Sequence, residues 1–156
     1  MVLKDNHHPS RRGLLEITHL CSKSNSMAKW ILTIAGYLGA LTVVLGAFGA
    51  HGLKKRLDEY SIGIFHTGIE YQFYHVGALL ALGLLAMKYP GALLQWAAVM
   101  FLLGIVFFSG SLYLLATRSL LGIESWSGIL GPITPLGGLC FIVGWVLLSV
   151  HVMKNL

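Results

Sequence analysis

Four apolar runs constrain this chain more than anything else in it. They lie at about residues 30–50, 68–87, 94–116 and 132–153, each near the roughly 20 residues that carry a helix across about 30 Å of hydrocarbon. A soluble fold of 156 residues with 56% hydrophobic and 11% charged positions could not hide its apolar surface; soluble domains average roughly 45–50% apolar and a quarter charged. A bilayer removes the difficulty, because lipid solvates the outside of each helix. The expected fold class is therefore all-α, a polytopic membrane protein with four transmembrane helices.

The net charge is +5, but the lysines and arginines sit singly or in short clusters beside the apolar runs, as topology signals do. The expected partner is the lipid bilayer and its anionic headgroups, with no nucleic acid. Cys21 lies in a polar leader and Cys140 inside an apolar run. There is no C-x-x-C, so the cysteines suggest neither a metal nor a redox motif, and Cys140 reads as an inert buried thiol.

Residues 1–26 are polar, with His7, His8, Pro9, Arg11 and Arg12. They are expected to be a loose tail or to lie upstream of a true start at Met27, with residues 27–156 forming one membrane domain. Ala47-Phe48-Gly49 looks like a small-residue cleavage site, but the apolar core before it is long for a secretory signal and three more spans follow, so the first span reads as an uncleaved anchor. Gly36, Gly39 and Gly46 give it a small-residue stripe on which another helix can close.

Between the first two spans, Leu53, Leu57, Tyr60 and Ile64 share one stripe, opposite Lys54, Lys55, Arg56, Asp58 and Glu59. Residues 53–64 are thus expected to form a short amphipathic helix at headgroup level. Lys88-Tyr89-Pro90-Gly91 stops the second span. Ser109, Gly110 and Ser111 in the third span, and Gly137, Gly138 and Gly144 in the fourth, suit close helix packing. Pro132 and Pro135 are expected in the first turn of the fourth span or at a bend. Four spans put both termini on one side. Lys29, Lys88 and Lys154 then face Lys54, Lys55, Arg56 and Arg118 across the membrane, a near balance that the leader's basic residues tip toward termini inside.

The acid and imidazole chemistry gathers in the stretch from Phe48 to His75. His66 and Glu70 stand four apart on one helix face, Gln72 and His75 three apart on another, and His51 ends the first span. Ionisable groups inside hydrocarbon normally pair or face a polar cavity. His51, His66, Glu70, Gln72 and His75 are therefore the candidate polar site, able to pass protons or, with imidazole plus carboxylate, to hold a divalent metal. The plainer reading starts the second span near Tyr71, leaves His66 and Glu70 among headgroups, and has His75 bond a carbonyl or a neighbouring helix. Tyr37, Tyr71, Phe73, Tyr74 and Tyr113 read as interface anchors or packing residues, and Lys54-Lys55-Arg56 as a headgroup-facing patch. No H-E-x-x-H, phosphate loop, nucleophile elbow or haem-attachment motif occurs, so no catalytic residue, metal or cofactor is assigned.

Four blocks, GAFGAHGL at 46–53, FHTGIEYQFYH at 65–75, FSGSLYLL at 108–115 and GPITPLGGLCFIVGW at 131–145, resemble the YgdD/YwdK family of small bacterial membrane proteins, related to eukaryotic transmembrane protein 256. The resemblance covers residues 27–152 and implies a four-helix protein of the bacterial plasma or inner membrane, with no established catalytic residue. The resulting expectation is a non-enzymatic bundle that packs as a homo-oligomer or as a subunit of a larger membrane complex. A proton-coupled or small-solute transporter using the His/Glu cluster is the alternative, and a metal-dependent membrane enzyme the second.

Overall fold

The computed structural model describes the backbone of residues 11–155 and the side chains of residues 26–155. Helix α1 runs Arg11–Phe48 and continues through a π-helical turn, Gly49–Leu53. Helix α2 runs Glu59–Lys88, and α3, Ala92–Gly104, joins α4, Gly110–Leu121, through a second π segment, Ile105–Ser109. A 3-10 turn, Glu124–Trp126, leads into α5, Ser127–Asn155. No strand occurs among the described residues. Among the described residues, four segments are long and apolar enough to cross a membrane: Ser26–Leu53, Glu59–Lys88, Ala92–Leu121 and Glu124–Asn155. The all-α, four-span architecture is the one expected.

Helix α2 is the hub. It packs against α1 on one side and against α4 and the second π segment on another, while α3 packs chiefly on α5. It is the most buried of the four spans, and α1 the least. Its 30 residues span about 45 Å, which matches a bilayer with its headgroup layers. The helix from Glu59 to Lys88 is thus long enough to reach from one headgroup layer to the other.

The separate interfacial helix expected over residues 53–64 does not form. Its first part is the π turn ending at Leu53, its middle is a turn carrying Lys54, Lys55 and Arg56, and its last part is the opening of α2. The cause is local. Asp58 is extended and its side chain accepts the Ser61 N–H at 2.8 Å, which starts a helix at Glu59 that nothing later interrupts. The helix that carries the second apolar run thus begins at Glu59, before residue 68. Leu53 is buried with Phe65 and Ala116, and Leu57 and Ile64 pack on them, so this polar-looking turn folds an apolar cap over the bundle end.

The prolines do not take the first-turn positions, one of the two placements expected for them. Helix α5 opens at Ser127, so Pro132 and Pro135 both lie inside it, beyond its first turn, each deleting one i→i−4 bond. The leader expected over residues 1–26 falls partly outside the described residues; the backbone from Arg11 onward is helical and continuous with α1.

Two apolar clusters hold the bundle. The larger joins Ala28, Ile31 and Ala35 of α1 to Leu79 and Leu82 of α2, Leu94 and Phe101 of α3, and Phe141 of α5. The smaller is the cap around Phe65. The backbones approach closely at Gly137, where a Cβ would stand 2.3 Å from the Phe108 backbone nitrogen. Only a residue without a side chain lets α5 lie so near the second π segment.

Candidate functional site

Near the middle of α2, Gln72 and His75 turn inward, and each is almost fully buried. Gln72 faces α1 and α4. Its Nε2 donates to Thr42 Oγ1 at 2.8 Å and to the Leu38 carbonyl at 3.3 Å. Its Oε1 accepts the Tyr113 hydroxyl at 3.0 Å. Thr42 in turn donates to the Leu38 carbonyl at 2.7 Å. Both amide hydrogens and the amide oxygen are occupied, which fixes the orientation of the amide. The result is a closed polar tie across three helices at a depth where no water is available.

His75 faces α5 and α3. Its Nδ1 stands 2.7 Å from the Tyr71 carbonyl, and Trp145 donates its indole N–H to Nε2 at 3.3 Å. A carbonyl only accepts and an indole N–H only donates, so both contacts are satisfied by the neutral Nδ1–H tautomer. The imidazole lies flat on Phe141, with ring centroids 3.4 Å apart and planes 8° apart. Phe101 and Trp145 tilt against it. The rings around His75 are aromatic, and among the described residues no carboxylate or second imidazole touches it.

His51, His66 and Glu70 are exposed. None makes a side-chain hydrogen bond or ion pair among the described residues. Of the five candidate residues, the structure therefore takes Gln72 and His75 into the bundle with separate partners, and leaves the other three outside it. Among the described residues no group of three or more His, Cys, Asp or Glu is placed to hold a metal ion. At the polar turn, the Ser61 backbone N–H holds the Asp58 carboxyl below its usual range.

The small residues divide as well. Ser109, Ser111 and Gly137 are buried, and a Cβ added at Gly138 would meet the Phe108 ring at 3.8 Å. Ser111 shares a hydrogen bond with Thr134 at 2.7 Å, tying α4 to α5. Ser109 Oγ, at the end of the second π segment, is buried with no hydrogen-bond partner among the described residues. A Cβ added at Gly110 would stand 4.0 Å from the Ile105 carbonyl oxygen, and one added at Gly36 or Gly46 would meet nothing within 4 Å. Cys140 is a free thiol.

Sequence reasoning singled out neither Thr42 nor Trp145, and it placed Tyr113 among packing and interface rings without a hydrogen-bond role. A usable signal existed: Trp145 sits well inside a span, whereas tryptophan usually marks the interface. His151 was also passed over. It is buried, stands 3.0 Å from the Tyr89 carbonyl through Nε2, and fastens the end of α5 to the turn after α2.

Residues 45–138 match the family described as a protein of unknown function, DUF423. The chain is 40% identical over 128 residues to the UPF0382 membrane protein YwdK of Bacillus subtilis, covering 81% of this chain and 98% of that one. It is 41% identical over 125 residues to a UPF0382 membrane protein of Staphylococcus epidermidis, covering 80% and 96%. It is 37% identical over 127 residues to the UPF0382 inner membrane protein YgdD of Escherichia coli, covering 81% and 92%. No solved structure matches. With four spanning helices and relatives named for the membrane they occupy, the chain is a multi-pass plasma-membrane protein of the DUF423, or UPF0382, family.

Proposed function

We propose that the protein is a non-enzymatic helical bundle that acts by lateral packing, assembling with itself or as a small subunit of a larger membrane complex. One contrast carries this reading. The polar groups of Gln72 and His75 are taken up by contacts between the chain's own helices, whereas Glu70 and His66 lie open on the outside of the same helix. Interior chemistry that is closed suits a scaffold, and exterior polar groups in a lipid setting call for a protein neighbour. Native mass spectrometry or single-molecule photobleaching in lipid bilayers tests it. The expected result is more than one copy per particle or a stoichiometric co-purifying membrane protein. A lone monomer at all protein-to-lipid ratios overturns it.

A second reading, proton or small-solute transport, has one observation in its favour, the buried His75 imidazole near mid-bilayer. It predicts pH-driven flux in proteoliposomes that disappears in His75→Phe. The packing reading predicts no flux in either protein.

A further inference from the structure

The outward face of α2 follows a repeat of seven. Gly63, Glu70 and Gly77 form one row and His66, Phe73 and Leu80 the row three residues on, and all six are exposed. Two such rows are the a and d positions of a helix–helix seam. A Cβ added at Gly63 or Gly77 would meet nothing within 4 Å, so a second backbone can come close on both sides of Glu70.

Glu70 is what makes the seam more than a stripe of small residues. It lies about 16 Å along the axis from Glu59, past the roughly 5–7 Å that headgroups occupy on each side. An ionised carboxylate facing lipid at that depth is among the costliest placements a membrane protein can have, and no group among the described residues pairs with it. By contrast, the exposed face of α1 carries no acid or imidazole between Lys29 and His51; Tyr37, Leu41, Val44 and Phe48 face outward there, as suits lipid.

Resting on the lateral-packing reading, we propose that the occupant of this seam is a second copy of the chain. The two α2 helices would run side by side about a two-fold axis along the membrane normal. Two copies inserted in the same orientation bring their α2 helices together in parallel. In parallel seam packing an a-position knob enters a hole bounded by the facing helix's own a position and the d positions before and after it. Glu70 of each copy therefore lies within reach of His66 of the other, the imidazoles offset the approach of the two Glu70 carboxyls across the axis, and the two-fold makes the exchange reciprocal. The chain supplies donor and acceptor four residues apart on one face, the spacing a parallel pair of its own helices brings together. Two charges that would each face lipid become two ion pairs between neighbouring glycine rows.

Cysteine cross-linking in native membranes tests this, in a Cys21→Ser/Cys140→Ser background. Phe73→Cys and Leu80→Cys should form disulfide-linked dimers at least five-fold more than Val43→Cys on α1. Added to the Phe73→Cys reporter, His66→Glu should lower the yield several-fold, and the swap His66→Glu/Glu70→His should restore it, because the swapped seam is again self-complementary. If Phe73→Cys and Leu80→Cys link no better than Val43→Cys while the protein still assembles, the α2 seam is wrong and lateral packing stands. If the protein is monomeric throughout, both fall. If the swap stays as low as the single change, the ion-pair register is wrong and the proposal fails on that ground.

Discussion

Trp145 donates its indole N–H to Nε2 of His75 across 3.3 Å, joining α5 to the centre of α2. The Tyr71 carbonyl holds the other ring nitrogen, and Phe141 covers the imidazole face. Trp145→Phe keeps an aromatic ring but leaves Nε2 buried without a donor. Hydrogen bonds between membrane helices contribute about 0.6 kcal/mol on average and up to about 1.7, so Trp145→Phe should destabilise the bundle by about 1 kcal/mol in reversible detergent unfolding. In a double-mutant cycle with His75→Phe the losses should be less than additive, because either change alone breaks the bond. Full additivity would mean that the contact contributes nothing.

The Gln72 tie makes a parallel prediction. Gln72→Leu strands the Tyr113 hydroxyl, and Tyr113→Phe strands the Gln72 oxygen. Each should lower stability by roughly 1 kcal/mol. The double change removes both ends and should cost clearly less than the two single changes summed. Gln72→Leu also removes both hydrogen bonds from α2 to α1, but Ile31 and Ala35 stay packed with Leu79 and Leu82 in either variant, so α1 should stay docked. Hydrogen exchange confined to α2 and α4 would confirm that, and loosening of α1 would contradict it.

The spans were legible because their signal is simple: long apolar runs ended by Lys88-Tyr89-Pro90-Gly91 or by charges. The start of α2 was misplaced because residues 59–64 are amphipathic in the same helical period as the span that follows, so periodicity alone cannot separate them. The deciding device was the Asp58 cap. For the candidate site, the polar residues were visible but their directions were not. Gln72 and His75 lie beside Glu70 in sequence, yet the helix turns them inward and Glu70 outward, and nothing in one chain's sequence says which helix each face meets. The partners Thr42, Tyr113 and Trp145 come from three other elements, and their pairing exists only once the bundle has formed.

The glycines separate by what surrounds them. At Gly137 a Cβ would collide with the Phe108 backbone, which cannot swing aside as a side chain can. Gly137→Ala should therefore destabilise the monomer by about 1–3 kcal/mol, the usual range for overpacking. Gly36→Ala meets nothing within 4 Å and lies within α1, where alanine is favoured over glycine by up to about 1 kcal/mol. It should leave monomer stability unchanged or raised in detergent. Equal effects at the two positions would refute the close approach of α5 to the second π segment.

The polar turn between the first two spans should give the bundle an acid-sensitive limb. The Asp58 carboxyl accepts the Ser61 backbone N–H and the Ser61 hydroxyl, at 2.8 and 3.1 Å, and its pKa falls below the ordinary value of 3.8. A carboxyl with a depressed native pKa binds protons less readily folded than unfolded. Its contribution is therefore present above the unfolded value and lost as pH falls through the native one. Below about pH 4 the wild type should lose stability, through loosening of the first turn of α2. Asp58→Asn retains a capping oxygen but no titrating group, so it should flatten that limb while keeping much of the stability seen at pH 7. Asp58→Ala removes the cap and should lower the unfolding midpoint at neutral pH as well. Detergent unfolding of the three proteins between pH 3 and pH 7 separates these outcomes, and an acid limb of the same depth in Asp58→Asn would show that some other group carries it.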